Sequence, residues 1–371
     1  MPVGFARVDD LEPRQVEAWR ELARVAVAPN AWTEPGFLLH ALRAWPGGED
    51  VRIAYVEEPE GSWSLALACT IESYALRWRT LSALSTHGEY LSGHAARVHP
   101  LVRAGDERAS FAALIGALGH DGLPAAIALD RVPEGPVLAG IEDAARDRRA
   151  PMLTQSLGAI LTAPPMDGTA VWGPVVDGIV GDDRPARDLR KRARRLGDAA
   201  GGPVVLEDWT DRDDAIERFI ALQGAGWKGD AARGGDGLIL HPERAAAFAS
   251  MAADLRSHGG LRVLALHAGG DPLHIAVYMG TSPSCLHGIY DAYDEQLGRL
   301  SPGVVGRGAA VHALARGEHA VEIDPGGDVG GPRMGPAYVQ ERRLTSVVIA
   351  GSGMLDRAHV AAARARARVR S

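Results

Sequence analysis

The sequence predicts an α/β protein in which one arrangement of helices and strands occurs twice. Its 371 residues are too many for one ordinary domain and suit two. Segments with apolar residues at helical spacing alternate with segments of period two, which indicate strands. Both halves follow the same order: two helices, antiparallel strands, a helix and a further strand. We therefore expect an internal duplication at the level of the fold, with mixed, mostly antiparallel sheets flanked by helices.

In the first half, apolar periodicity predicts four helices and four strands. The helices are 14–28, 36–45, 108–118 and 138–148. The strands are 51–56, 63–71, 78–84 and 124–132. A stretch rich in Gly, Pro and Asp at 164–183 predicts the connection between the halves. We place the domains at residues 1–165 and 166–371.

The second half begins with a basic helix and then repeats the pattern of the first. The predicted helices are 184–195, 211–224, 242–257 and 301–316, and a basic helix ends the chain. The predicted strands are 261–267, 273–279, 285–290, 320–324 and 345–350. Ser301 can cap the helix at 301–316, Pro302 suits its first turn, and Gly317 can end it.

Charge and cysteine content exclude several classes of protein. A formal charge of -7 argues against general nucleic-acid binding, which needs a basic face. The two cysteines, Cys69 and Cys285, are far apart and lack metal-ligand spacing, so we expect neither a disulfide nor a metal site. Because no basic leader or long apolar run is present, we expect a cytoplasmic protein without membrane association.

Two adjacent strands, 273–279 and 285–290, carry polar side chains that can do chemistry. A tight hairpin with Gly280 opposite Ser284 pairs His274 with Tyr290 and Val277 with His287. In that register, His287 shares a face with the apolar residues and is expected in the core. His274 shares the other face with Tyr290 and is the better candidate for proton transfer. A one-residue slip would exchange the two histidines.

Several motifs narrow the type of protein. They are RKRARRLG at 190–197, GWKG at 226–229, GGDPLHIAVYMG at 269–280, YDAYDEQLGRLSPG at 290–303 and the helix ending in ARG at 317. With these motifs the chain resembles the cellulose-biosynthesis-type (CelD-like) acetyltransferases of the GNAT superfamily. The resemblance implies two tandem GNAT-like domains, an arrangement shared with Fem-type aminoacyl transferases. It also implies direct acyl transfer, without a metal, from acetyl-CoA or another acyl-CoA to an amine of a small molecule or sugar.

By this resemblance, the donor site lies in the second domain where the helix at 301–316 begins. The residues implied in donor binding are Ser301, Gly303, Val304, Gly306, Arg307 and Gly308. Gly306 and Gly308 occupy the glycine positions of a GNAT phosphate turn, whereas Gly303 replaces its Arg or Gln. The alternative is that the helix simply begins at Ser301 and that the glycines permit close packing.

Transfer to an amine needs a proton acceptor for the amine and a proton donor for the leaving thiolate. The candidate acids are Tyr290 and Tyr338, and the candidate bases are His274, Asp291, Asp294 and Asp324. The candidates for acceptor binding are Trp227, Lys228, Asp294 and Asp324. Asp291 and Asp294 also suit a turn or a helix cap, and Trp227 also suits a packed anchor.

Two other functions remain open at this point. A Fem-like transferase would use an aminoacyl-tRNA, with the basic helix from Arg184 to Arg195 contacting its phosphates. A binding protein that has lost its donor site is the other alternative, because the turn lacks a basic residue at Gly303. The basic helix can equally be a solvated surface.

Overall fold

The structure, a computed structural model, contains two compact units. The first holds residues 1–160, 328–330 and the C-terminal segment from Arg342, and the second holds 161–327 and 331–341. The residues that the structure describes are 1–76, 79–120, 122–179, 184–331, 335, 337–351, 357–358 and 360–361. In these ranges, no helix has both the length and the apolar character needed to cross a bilayer. The predicted C-terminal helix lies almost entirely outside them.

Helices and strands alternate along both units. The helices are α1 (Pro13–Val25), α2 (Pro35–Ala41), α3 (Glu89–His94), α4 (Glu107–Ala117), α5 (Pro136–Asp147), α6 (Val175–Gly178), α7 (Arg184–Ala200), α8 (Ala215–Ala225), α9 (Pro242–Ser257) and α10 (Pro302–Leu314). The strands are β1 (Val3–Arg7), β2 (Arg52–Glu57), β3 (Trp63–Leu76), β4 (Arg79–Ser85), β5 (Leu101–Val102), β6 (Ala126–Pro133), β7 (Met152–Thr162), β8 (Gly173–Pro174), β9 (Val205–Asp208), β10 (Leu261–Ala268), β11 (Asp271–Met279), β12 (Cys285–Tyr293), β13 (Glu322–Asp324) and β14 (Gln340–Ala350).

The first unit is built on a sheet with the order β1-β2-β3-β4-β6-β14-β7, and β5 adds to β3. Strands β1 to β4 pair antiparallel, and β6 pairs parallel with β4. Its main core combines residues of the sheet with apolar residues of α4 and α5, among them Phe111, Leu114 and Ile141. Prolines start both α1 and α5, where the missing N–H costs no helical hydrogen bond.

The second unit is built on a sheet with the order β13-β12-β11-β10-β9-β8. Strands β10, β11 and β12 pair antiparallel, and β13 pairs parallel with β12. Apolar residues of α7 and α10 share one core with Ala276 and Tyr278 of β11. On the opposite face of β12, Tyr290 contacts the rings of Phe219 in α8 and Phe248 in α9. Helices thus cover both faces of this sheet.

The main elements follow the same order in the two units, although the first unit inserts the short α3 and β5 before α4. Two helices precede three antiparallel strands, a helix follows, and the next strand pairs parallel with the third. The first unit has α1, α2, β2, β3, β4, α4 and β6 in these places, and the second has α8, α9, β10, β11, β12, α10 and β13. The predicted fold class, two α/β units with mixed sheets flanked by helices, is confirmed.

Strand β14 belongs to the first sheet although it follows the second unit in sequence. It lies between β6 and β7, with Val347 paired to Leu129 and Ile349 to Ile127. Val347 and Ile349 are buried in the core of the first unit. The sequence analysis assigned these residues to the second domain, because it assumed that strands pair with their neighbours in sequence. Periodicity identifies a strand but does not identify its partner.

Candidate functional site

The candidate site is built where α10 packs on β11. Gly306 lies inside α10, and a Cβ atom at this position would lie 2.0 Å from Nδ1 of His274. The absence of a side chain therefore leaves room for the imidazole, which is only 1% exposed. Glycine inside a helix costs roughly 1 kcal/mol relative to alanine. Here that cost is associated with a specific contact to His274.

His274 and Arg307 converge on one carboxylate oxygen. Nε2 of His274 lies 3.2 Å from Oδ2 of Asp291, and Nη1 of Arg307 donates to the same oxygen at 2.5 Å. Lys228 lies on the backbone side of this residue, where its Nζ donates to the carbonyl oxygen of Asp291 at 3.1 Å. Among the described residues, none donates a hydrogen bond to Oδ1 of Asp291. Within the described part of the chain, the network therefore leaves Oδ1 of Asp291 without a hydrogen-bond donor.

Asp291 is ionised in this setting. Burial, the largest single influence, raises the pKa of its carboxyl group. The hydrogen bond and the charge of His274 act in the opposite direction, as do the charges of Arg307 and Lys228. Together they outweigh burial and hold the pKa of Asp291 well below its ordinary range. The side chain keeps 26% of its surface exposed, so the carboxylate is accessible.

Two buried tyrosines lie beside the network. Tyr278 of β11 is 2% exposed and Tyr338 is 1% exposed, and their hydroxyl groups are hydrogen-bonded to each other. Burial is the main cause that raises the pKa of both above the ordinary value, and the charge of Asp291 adds to it. Both phenols are therefore neutral at physiological pH. Tyr278 lies on the same face of β11 as His274, because side chains at every second residue of a strand share a face, and it was not among the predicted site residues.

The predicted pairing of His274 with Tyr290 is wrong. His274 pairs with Tyr293, and Tyr290 pairs with Val277 and shares its face. A β-bulge between Val277 and Tyr278 then shifts the register, with Ile289 as the extra residue on β12. Burial among aromatic rings raises the pKa of Tyr290 to about 12. Because Tyr290 shares the face of Val277, it lies on the opposite face of the sheet from His274 and Asp291.

The register differs because the hairpin is not tight. Met279 pairs with His287, so the connection runs from Gly280 to Leu286 instead of closing at Ser284. Gly280 has a φ of +147°, which L side chains rarely adopt. His287 shares the face of Val277 and is 0% exposed, so its predicted place in the core is confirmed.

The other candidates for acceptor binding lie in different settings. Trp227 and Lys228 form a short 3-10 helix, Trp227–Gly229, and Trp227 is 40% exposed rather than a packed anchor. The Asp294 side chain accepts from the backbone N–H of Gln296 and caps a turn. Asp324 is fully buried at the end of β13, where it accepts from the N–H of Gly326. The structure thus brings Lys228 to Asp291 and gives Asp294 a capping contact.

The predicted donor-binding residues lie along α10. Ser301 precedes the helix with a φ of +60°, and its hydroxyl oxygen accepts from Nη1 of Arg192 at 3.4 Å. Gly308 faces α7, because a Cβ atom there would lie 2.6 Å from Cδ2 of Leu189. Gly306 and Gly308 therefore both permit close packing, which was the alternative interpretation. Arg307 reaches Asp291, and a role of these residues in donor binding stays a prediction.

The sheet has an edge next to Asp291. Strands β12 and β13 are paired over Cys285–His287 and Glu322–Asp324 only. Beyond His287, β12 continues to Tyr293, whereas the chain leaves β13 at Pro325. Asp291 lies on the part of β12 that β13 does not cover. Asp291 therefore lies where β13 does not pair with β12, and its side chain is 26% exposed.

Residues 184–330 match the sequence model of a protein family described as an acetyltransferase (GNAT) domain. The match covers α7 to the loop after β13 and so contains most of the site. The predicted resemblance is confirmed at the level of a GNAT acetyltransferase domain. The narrower likeness to CelD-like acetyltransferases stays a prediction.

Two solved structures show the same overall fold. A conserved protein of unknown function from Bacteroides thetaiotaomicron is 12% identical, with a TM-score of 0.57 over 94% of this chain and 100% of that one. The C-terminal domain of a putative lysylphosphatidylglycerol synthetase from Agrobacterium fabrum is 11% identical, with a TM-score of 0.53 over 95% of this chain and 96% of that one. At these identities, the likeness concerns the fold alone. No curated protein matches the chain.

Proposed function

We propose that this protein is an N-acyltransferase that moves an acyl group, in the first instance acetyl, from an acyl-CoA to an amine of a small molecule or sugar. One observation carries the proposal. Asp291 is held ionised by His274 and Arg307 through a single oxygen, and no described residue donates to Oδ1, which a substrate can therefore use. The match of residues 184–330 to a GNAT acetyltransferase domain supports the type of reaction.

In this proposal, Asp291 is the catalytic residue that meets the amine. Its negative charge attracts the ammonium form of the acceptor, which releases one proton to solvent and becomes the free amine. Oδ1 then accepts a hydrogen bond from the remaining N–H. As the nitrogen attacks the thioester carbonyl, the new C–N bond forms, the C–S bond breaks, and Oδ1 takes the proton that the nitrogen loses. The thiolate leaves and takes its proton from solvent.

His274 and Arg307 are positioning residues in this scheme. His274 is 1% exposed and cannot meet an acceptor directly, but its Nε2–H fixes the carboxylate. Arg307 holds the same oxygen from α10. Tyr278 and Tyr338 keep their protons and close the network from the buried side. The acyl-CoA supplies an activated carbonyl, and these residues supply the charge and the orientation.

The test is a screen for amine-dependent release of thiol from acetyl-CoA. The purified protein is incubated with acetyl-CoA and a panel of primary amines and amino sugars, and acetylated products are identified by mass spectrometry. We expect an amine-dependent product with the wild type and a loss of roughly 100-fold or more with His274→Gln. His267→Gln, which changes a histidine of β10 paired with Glu207, is the matched control. Equal rates in both variants would contradict the proposed role of His274.

The exposed basic face of α7 favours one second candidate. Its exposed basic residues are Arg184, Arg187, Lys191, Arg192, Arg194 and Arg195. Such a face suits the phosphates of an aminoacyl-tRNA that would serve as the donor in a Fem-like transfer. Binding of tRNA that weakens steeply with salt, and that is lost when Arg187, Lys191 and Arg194 become alanine, would support this candidate. Thermal stabilisation by acetyl-CoA but not by tRNA would exclude it.

A further inference from the structure

A cavity of about 290 Å³ lies between α7 and the first turn of α10. The lining residues are Arg184, Pro185, Asp188, Leu189, Arg192 and Val304. Its size is at the lower end of the range for small-molecule sites, roughly 300–1,000 Å³. It can admit part of a nucleotide-sized ligand but no folded polymer.

Arg192 is the principal cation of this cavity. Its Nη1 donates to the Ser301 hydroxyl over a long 3.4 Å contact. Among the described residues it forms no ion pair, so most of its five donors are left for a ligand. Arg184 lies 3.9 Å from Asp188 in a pair whose side chains are 88% and 62% exposed. Such an exposed and distant pair contributes little, so Arg184 can turn toward an anion.

The rest of the lining is largely apolar. Leu189 packs on α10 at Gly308, and Val304 and Pro185 add apolar surface. A guanidinium beside an apolar wall suits a ligand that joins phosphate groups to an uncharged ring or chain. A free inorganic ion would leave the apolar part without contacts.

The cavity and the reaction site are both built on α10. Val304 lines the cavity and Arg307 holds Asp291, and residues three apart are neighbours on a helix surface. A donor that lies along the first two turns of α10 can therefore place one end in the cavity and its thioester near Asp291. Gly303, in the same turn, has no side chain to meet a phosphate.

We infer that this cavity holds the phosphorylated nucleotide end of the acyl donor, and that Arg192 of α7, assisted by Arg184, supplies the positive charge that Gly303 does not. The inference rests on the proposed function, because it takes the donor to be an acyl-CoA. It assigns a specificity role to α7, a helix outside the order of elements that the two units share. A donor without phosphates would gain nothing from Arg192.

Binding of CoA and of pantetheine, measured by titration calorimetry, tests the inference. We expect Arg192→Gln to weaken CoA binding roughly tenfold or more, the loss that one hydrogen bond to a charged group produces. Pantetheine has no phosphates, so its affinity is expected to stay unchanged. Arg187→Gln is the matched control, because Arg187 is exposed on the same helix and does not line the cavity. We expect it to change CoA binding less than twofold.

Three results would overturn the inference: no binding of CoA to the wild type, equal weakening by Arg192→Gln and Arg187→Gln, or equal losses for CoA and pantetheine. Thermal unfolding of both variants checks that the fold is intact. The outcome is separable from that of the proposed function. CoA binding that depends on Arg192, without any acyl transfer, would contradict the function and leave the inference standing. Acyl transfer by the wild type, together with an unchanged CoA affinity in Arg192→Gln, would contradict the inference and leave the proposed function standing.

Discussion

The two units have the same order of elements but differ in what lies beneath the helix after the third antiparallel strand. In the first unit, α4 packs on an apolar surface that includes Leu67 and Cys69 of β3. In the second unit, α10 packs on a strand that carries His274. The difference shows that one arrangement can provide either a closed core or a polar site. We propose that the chemistry belongs to the second unit.

The largest expected effects on stability come from replacing one buried isoleucine in each sheet. Ile349→Ala in β14 and Ile323→Ala in β13 both remove a fully packed side chain and are expected to cost about 2–5 kcal/mol of the free energy of unfolding. Hydrogen exchange by mass spectrometry is expected to show loosening of β6 in the first variant and of β12 in the second. Acyl transfer measured at low temperature is expected to fall only in the second. A fall in acyl transfer with Ile349→Ala would indicate that the first unit takes part in the reaction.

Two helix glycines make a sharper test of the difference. Gly306→Ala places a Cβ at 2.0 Å from His274, and Gly140→Ala in α5 places one at 2.5 Å from Cβ of Glu107. Both substitutions are expected to lower the melting temperature. Only Gly306→Ala is expected to slow acyl transfer, by roughly 100-fold, since small misplacements in a site cost about that much.

A third glycine controls for the added methyl group alone. Gly93→Ala in α3 meets no atom within 4 Å, so it is expected to preserve both stability and activity. Full activity in Gly306→Ala, with a melting temperature equal to that of the wild type, would show that the position of His274 does not depend on its contact with Gly306.

The pH dependence of stability is expected to distinguish the carboxylates of the two units. The folded-state pKa of Asp291 is lowered, so its contribution to stability is full above the unfolded-state value of about 3.9 and is lost as the pH falls toward the folded-state value. Replacing Asp291 with Asn should therefore make the acid side of the stability profile shallower. Asp147 of the first unit, paired with Arg108 on the exposed surface, is expected to have little influence when replaced in the same way. The measurement is urea unfolding from pH 7 down to about pH 2, which extends below the unfolded-state value.

The smallest effect is expected from the two thiols. Cys69 and Cys285 are both buried, and burial raises the pKa of Cys69 to about 12. Neither thiol is therefore expected to react with Ellman's reagent in the native protein at pH 8. Both are expected to react after unfolding. Rapid reaction of either one in the native state would identify a unit that opens locally.

The spacing of apolar residues along the sequence was sufficient to predict most helices and strands of both units. The helix predicted at 301–316 occurs at Pro302–Leu314, because Pro302 and Gly317 mark its ends in the sequence. The core position of His287 was also predicted correctly, because its actual partner Met279 lies on the same face of β11 as the predicted partner Val277. The repeated order of elements was evident from the spacing of apolar residues.

Pairing between strands could not be predicted in the same way. The bulge at Ile289 reverses the faces of β12, so Tyr290 was assigned to the site and the contact of His274 with Asp291 was missed. A bulge adds a residue without a distinctive sequence signal here. The partner of β14 depends on a contact between distant parts of the chain. The interaction of Arg192 with Ser301 likewise joins residues that only the fold brings together.

The most direct test compares one carboxylate from each unit in the acyl-transfer assay. Asp291→Asn removes the charge at the proposed site, and Asp130→Asn removes a similarly shielded carboxylate that accepts from Ser346 in the first unit. The account predicts that amine-dependent thiol release falls roughly 100-fold or more with Asp291→Asn and stays within about twofold of wild type with Asp130→Asn. Full activity in Asp291→Asn, or an equal loss in Asp130→Asn, would contradict the assignment of the chemistry to the second unit.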